Sequence, residues 1–414
     1  MTRSSLPSRN LLLIYAMSAL VYFSQGIGGL ASQPLFFYLK ETLGLPPSTL
    51  MYLGSVTTIP WMIKPLYGWI SDTFPLWGYR RKSYMIASGL LSASTAAFLG
   101  IIPVLSLVPL YAVLVLDSLG GAIKDVAVDG IMVEEGQRLG LTGRIQAIQW
   151  GSLTLASVVT GLAGGYIAER FDYHLGFKLV ALFPAMVACL TLFYDEKPAP
   201  VSAQPVSMKE VLKNRQLLLS MLFLFLLWFS PSFGVPISFK MRDELHFSKL
   251  YMGFLGTLGS AFSILGAVWY WRVSRRIDLK KWLTLSTVVS ALSTFAYLYL
   301  TKTSILLYTL LFGIANMATQ LIIMDFCARI CPKGKEATTF ALIMSVLNFG
   351  TFMSGIAGGK LYDWVGYHWL VIISGVTTLL CLLLIPHLEL ASKSPVAALG
   401  FRCEQGEERG GGVS

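Results

Sequence analysis

Gly161-Leu162-Ala163-Gly164-Gly165, followed by Tyr173-His174, returns as Gly355-Ile356-Ala357-Gly358-Gly359, followed by Tyr367-His368, 194 residues later at every matched position. Each copy sits in an apolar stretch too long for a strand and without period-two alternation, so each reads as a helix. Small residues in apolar helices let two backbones approach closely. Packing accounts for the glycines themselves; their matched place in both copies argues for duplication of a larger unit. Basic clusters recur on a similar scale, as Arg80-Arg81-Lys82 and Lys280-Lys281.

Outward from the repeat, the whole chain consists of such stretches. Of its 414 residues 55% are hydrophobic and only 13% charged, with a mean hydropathy of +0.64. A soluble domain carries about 25% charged residues. An apolar excess of this size excludes a secreted disulfide scaffold, a disordered chain and almost any soluble enzyme. At roughly 20 residues per crossing, the length allows about 12 crossings. Spans are predicted at 11–39, 48–70, 83–102, 105–133, 142–168, 175–194, 216–239, 249–271, 282–300, 303–328, 337–361 and 367–388. The expected fold is an all-α polytopic membrane protein of 12 transmembrane helices in two six-helix bundles, at 1–195 and 216–390. A polar cytoplasmic linker at 196–215, with Pro198, Pro200 and Pro205, joins them. A disordered cytoplasmic tail is expected at 391–414.

The net charge is +10. In a membrane chain the cations mark cytoplasmic loops, so no nucleic acid is expected as a partner. With both termini inside, 22 of the 32 Lys and Arg fall in inner segments and 8 in outer ones, while Lys64 and Lys124 lie within spans. An odd number of spans would scramble that split. The expected placement is multi-pass in a bacterial inner membrane, both termini cytoplasmic, as a monomer. The apolar run after Arg3 and Arg9 is of span length and lacks a small-residue cleavage site, so the first span is expected to be its own insertion signal. Five cysteines give no disulfide framework, and Cys327 and Cys331, one turn apart, read as buried thiols. No cofactor or metal is expected.

Two segments carry chemistry. After the second span the chain reads Gly68-Trp69-Ile70-Ser71-Asp72, then Gly78-Tyr79-Arg80-Arg81-Lys82. Gly68 permits close helix approach; Asp72 can cap a helix or pair with a cation. Gly68, Asp72, Gly78, Arg80, Arg81 and Lys82 are candidates for a gate whose contacts form in one conformation and break in another. The bland alternative is a basic anchor at lipid headgroups. In the fourth span, at about 100° per residue, Lys124 falls about 20° from Asp117 and Asp125 about 80° away on the other side. Asp129 is one turn beyond Asp125. Asp117, Lys124, Asp125 and Asp129 are therefore expected to form one polar stripe. A charge at mid-bilayer costs about 2.5–3.5 kcal/mol on insertion scales, so the stripe should face a watery cavity or pair within itself. Either Lys124 is neutralised by Asp117 or Asp125, or the stripe is a substrate and proton path. Asp125 and Asp129 are close enough to act as a proton carrier.

Weaker signals are Gln25, Lys64, Asn316, Gln320 and Asn348, each more often a helix-packing group than a ligand. Asp325 and Arg329 form an i,i+4 pair on the tenth span, the duplicate of the fourth. Candidate substrate-binding residues are Gln25, Lys64, Lys124, Asp117, Asn316, Gln320 and Arg329; candidate proton-coupling residues are Asp125, Asp129 and Asp325.

Two six-span halves in the same orientation suggest the parallel repeat of the major facilitator architecture. The residues then resemble one family within it, the folate-biopterin transporters. The resemblance rests on Tyr22-Phe23-Ser24-Gln25-Gly26, on Pro60-Trp61-Met62-Ile63-Lys64-Pro65-Leu66-Tyr67-Gly68, on the long loop from Phe74 to Tyr84, and on Lys124-Asp125-Val126-Ala127-Val128-Asp129-Gly130. It covers roughly the first 135 residues in detail and the second half in topology. The family pattern leads one to expect a small or polar residue where Lys124 stands, and an added cation there would favour a more acidic ligand. The resemblance implies secondary active transport of folates, pterins or a related anionic heterocycle by alternating access, coupled to protons. The alternatives are a major facilitator for another cargo (a drug, nucleoside or peptidoglycan fragment) and, more remotely, a polytopic membrane enzyme. The spans carry no His pair, HExxH or G-x-S-x-G that such an enzyme would need.

Overall fold

Apolar runs that must satisfy their backbone within lipid form helices, and among the described residues they make twelve crossings. The computed structural model describes residues 8–103, 106–139, 141–196, 213–273, 278–331 and 336–388. The first half holds α1 (Ser8–Gly26, then Gly29–Phe37), α2 (Pro47–Met62, then Lys64–Thr73), α3 (Lys82–Ile101), α4 (Leu107–Leu139), α5 (Thr142–Arg170) and α6 (Tyr173–Leu192). The second holds α7 (Arg215–Phe229, then Gly234–Phe239), α8 (Lys249–Val273), α9 (Leu279–Ala296), α10 (Ser304–Arg329) and the stretch Glu336–Leu380. Gly366, at φ 72°, breaks that stretch into α11 and α12; a left-handed φ suits glycine, which has no Cβ to clash. Ten helical stretches are long and apolar enough to cross a membrane. One of them, Thr339–His387, holds two crossings, and α2 is cut at Ile63 into two short pieces, which accounts for twelve. Most of the expected linker, at 197–212, and the expected tail lie outside the described residues.

Helix α4 outruns its predicted end. It continues to Leu139, so Glu134, Glu135 and Arg138 are helical, with Arg138 and Glu135 ion-paired three residues apart. Such i,i+3 pairs support a helix end. The loop before α3 turns through Trp77 (φ 51°) and Gly78 (φ 82°), the two left-handed positions of a tight hairpin turn.

Each half has a core at the end where α1 begins, here the near end. Ile14, Met17, Met85, Val128, Ile131, Ile145 and Val187 fill the first, and Phe223, Leu224, Leu283, Phe326 and Ile343 the second. Outward-facing side chains are apolar instead of charged: Leu12, Ile101, Val108, Leu292 and Trp364 are all exposed. That inversion is what a lipid-facing surface requires.

The duplication is visible in the contacts. Lys82, opening α3, donates to the Leu192 and Tyr194 carbonyls at 2.9 and 2.7 Å. Lys280, opening α9, donates to Pro386 and Leu388 at 2.8 and 3.4 Å. In each half a cation satisfies carbonyls left free where the last helix ends, a favourable place for positive charge. Lys82, expected in a gate, is thus held within its own half.

The halves meet along two seams, α5 against α8 and α2 against α11. Most of the repeated glycines lie on them, while Gly164 packs on Gly29 and Gln33 of α1. A Cβ on Gly161 would fall 2.8 Å from the Gly253 carbonyl, and one on Gly165 2.9 Å from that of Lys249. On the other seam, a Cβ on Gly359 would fall 2.6 Å from the Tyr52 ring. By contrast, a Cβ on Gly68 would meet only Val126 at 3.8 Å. That is ordinary contact, so close approach does not require the glycine there.

Candidate functional site

Helix α4 carries the buried charge. Asp125 and Asp129, one turn apart, face α1, α2 and α5. Lys64 Nζ lies 2.5 Å from Asp125 Oδ2, and Gln25 Nε2 donates to Oδ1 at 2.8 Å. Asp129 Oδ1 accepts from the Tyr22 hydroxyl at 3.0 Å and from Gln149 Nε2 at 3.1 Å. The break in α2 makes this possible. Lys64 opens the second piece, with Pro65 in its first turn, where a missing N–H is tolerated. Trp61 stands one residue before the end of the first piece, its ring 4.5 Å from Lys64 Nζ and its indole N–H donating to Ser118 at 2.9 Å.

The expected single stripe is two faces. Asp117 accepts from Thr95 of α3 at 3.0 Å. Lys124, only 4% exposed, has Asp117 as its interacting charge. Glycines on either side show where this face points: Gly120 packs on Ser88 and Ser92 of α3, and Gly121 on Trp61. About 80–140° of helix rotation separates the two faces, enough for different neighbours to claim them. Lys64, not Lys124, neutralises Asp125.

In α10, Arg329 binds Asp325 through Nε at 3.0 Å and Nη2 at 2.5 Å, and both side chains are buried. Tyr270 of α8 stands close to Asp325. Asn316 is exposed and Gln320 half-buried on the same helix.

At the near end Arg81 gathers the loop motif. Its guanidinium donates to Asp72 at 2.7 Å, to Ser71 at 2.7 Å and to Glu134 at 2.7 Å. Asp72 therefore pairs with a cation and caps no helix. Glu196 accepts from the backbone N–H of Arg80, Arg81 and Lys82 at 3.0, 3.1 and 2.6 Å. A fork of fixed donors can bridge three acceptors, which an ammonium on a flexible stem does not reproduce. Arg81→Lys is therefore expected to lose most of the thermal stability that Arg81→Ala loses, measured by melting in detergent; a wild-type melt for Arg81→Lys would show that charge alone suffices.

The opposite, far end holds residues that the sequence reading passed over. Helices α1 and α7 both finish in a π-helical turn, Tyr38–Thr42 and Lys240–Glu244. The two segments correspond at several positions: Pro34 with Pro236, Phe37 with Phe239, Lys40 with Arg242, Glu41 with Asp243, and the left-handed Gly44 with His246. Their charges cross between the halves. Lys40 pairs with Asp243, and Arg242 Nε lies 2.6 Å from Glu41. Lys249, opening α8, adds a second cation 2.7 Å from Glu41. Among the described residues, every ion pair that joins the two halves lies at this end.

Two six-helix halves of like topology, meeting along two glycine seams around buried charge, define a transporter of the major facilitator fold. The BT1 family profile matches residues 25–393, and the chain belongs to that family. It is 31% identical over 410 residues to a folate-biopterin transporter of Synechocystis sp., covering 90% of this chain and 80% of the relative. It is 25% identical over 363 residues to folate transporter 1 of Plasmodium falciparum, covering 83% and 72%. Among solved structures, the nucleoside transporter NupG superposes with a TM-score of 0.69 at 15% identity, over 91% of this chain and 98% of that one. A D-xylose-proton symporter superposes at 0.73 and 11% identity, over 92% and 98%. These two share the fold. Membership in a family of transporters sets the membrane-enzyme alternative aside.

Proposed function

We propose that the protein carries folates, pterins or a closely related anionic heterocycle across a bacterial inner membrane, coupled to protons, as a monomer with cytoplasmic termini. The observation that carries this is the Lys64–Asp125 pair, backed by Asp129, inside the first half of a chain whose relatives bear folate and biopterin names. A buried Lys and carboxylate neutralise one another only while both are charged. Protonation of Asp125 would release Lys64 to pair with a carboxylate on the ligand, so proton and anion would arrive together. Gln25 and Tyr22 stand beside the pair. From the second half, Asn316 and Gln320 offer amides to a polar ring, with Asp325 and Arg329 about one and a half and two and a half turns beyond Gln320 along α10. Asp117 with Lys124 fits a helix-packing role between α3 and α4 better than a ligand role.

The halves at 1–195 and 216–390 would rock about their seams. In this conformation the crossed ion pairs hold the far end shut. The Arg81 cluster belongs to the near end and stays within the first half.

Uptake into proteoliposomes of labelled folic acid, 5-formyl-folate and unconjugated pterin, with and without an inward proton gradient, tests the reading. Saturable uptake raised by the gradient is expected for at least one of them. Folded protein that takes up none would leave the fold standing and remove the cargo. A gradient-independent rate would remove the coupling.

A further inference from the structure

In a helix the Trp61 carbonyl takes its hydrogen bond from the N–H four residues on. That residue is Pro65, which has none. The donor comes instead from the other half of the molecule: Asn348 Nδ2 of α11 reaches the Trp61 carbonyl at 3.0 Å. A polar backbone group in lipid must be satisfied by something, and here the partner spans the seam between the halves.

Everything around Trp61 leads to the charge pair. Its ring lies 4.5 Å from Lys64 Nζ. Its indole is bonded to Ser118, whose hydroxyl donates to the Thr57 carbonyl at 2.6 Å. Lys64 follows three residues later, across the break at Ile63, and reaches Asp125. Asn348 touches neither charge.

We propose that Asn348 is a positioning residue for transport: by supplying the hydrogen bond that Pro65 cannot, it fixes the break in α2 and so holds Lys64 against Asp125, tying that pair to the approach of the two halves. The inference rests on the transport reading of Lys64 and Asp125. It makes Asn348, on the second half, part of the control of a charge pair contained wholly in the first.

The test needs no substrate. Dicyclohexylcarbodiimide, an apolar reagent, attacks protonated carboxyl groups in membrane interiors, and Asp125 paired with Lys64 is protected. Around Asp125 the facing groups are Lys64 of α2 and Gln25 of α1, with Asp129 one turn along α4 bonded to Tyr22 and Gln149. Labelling of the purified full chain near neutral pH is read at Asp125 by peptide mass spectrometry. Lys64→Ala sets the unprotected level. Asn348→Ala and the space-filling Asn348→Leu are each expected to raise labelling of Asp125 about tenfold, the upper end of what one hydrogen bond supports. Pro65→Ala restores a backbone N–H at the break, so Asn348→Ala is expected to add little in that background. This rescue also shows that the single variant had not simply unfolded.

Unchanged labelling in both Asn348 variants, or equal effects of Asn348→Ala with and without Pro65, would overturn the proposal. So would a Lys64→Ala variant labelled no more than wild type. A cycle that behaves as expected in a protein that takes up no folate or pterin would keep Asn348 in its role and remove only the cargo.

Discussion

Replacing Asp125 by Asn is expected to lower gradient-driven uptake of whichever labelled folate or pterin the wild type carries about 100-fold, and replacing Lys64 by Ala to do the same. Each change leaves one charge buried without its partner. Breaking a buried pair from one side costs about 3–5 kcal/mol, and each 1.4 kcal/mol is about tenfold in an equilibrium or a rate. The single variants should therefore also melt earlier in detergent than wild type. Lys64→Ala with Asp125→Ala removes both charges together. That double variant is expected to melt above either single one yet transport no better, because restoring neutrality restores the fold and not the coupling. Asp129→Asn is the contrasting case. An amide oxygen can still accept from Tyr22 and Gln149, so the protein should keep its stability and its binding while uptake loses its dependence on the proton gradient. Uptake at the wild-type rate in both Asp125→Asn and Asp129→Asn would take the carboxylates out of the mechanism.

The glycine seams give the second large effect. In Gly161→Val the new side chain meets backbone, the Gly253 carbonyl and the Thr257 amide, which has no room to move aside. Alternating access needs this seam to close, so uptake is expected to fall below a tenth of wild type while the protein still reaches the membrane. Gly165→Val should behave alike, and Gly355→Val should do the same at the other seam. Gly151 lies on the same helix as Gly161 with nothing within 4 Å of a Cβ. Gly151→Val is accordingly expected to stay near wild type, apart from the small cost of a β-branched residue in a helix. The comparison separates crowding at the seam from loss of helical glycine. Equal damage at positions 151 and 161 would show that the seam is not the cause.

Span number, span order and the duplication were legible because each depends on long apolar runs and on identities at one fixed spacing. The glycines were legible for the same reason, though which helices they would meet was not; α8 and α2 carry no signal of their own that names a partner. The stripe on α4 was half legible. Angular positions placed Asp117 with Lys124 and Asp125 with Asp129, but neighbours decide whether two faces about 80–140° apart act as one. Lys64 could not be matched to Asp125 from the sequence, since the reach across from α2 depends on the break at Ile63. The far-end charges were missed for a different reason. Pro34-Leu35 and Pro236-Ile237, Lys40-Glu41 and Arg242-Asp243 correspond at a spacing of 202, not 194. Most of these matches conserve chemistry without identity. A comparison by charge and size at a second spacing would have found them.

The crossed pairs at the far end have the form of a contact between twins. When two copies of one surface meet about a twofold axis, every touch occurs twice, the first residue of one copy on the second residue of the other. Lys40 on Asp243 and Arg242 on Glu41 obey that rule although both belong to a single polypeptide. A self-associating six-helix ancestor would have closed itself with this same lock, and any mutation in it would have struck both bridges together. In one polypeptide each residue of the lock can be changed alone, and Lys249 leans on Glu41 and not on Asp243, so the two bolts are no longer alike.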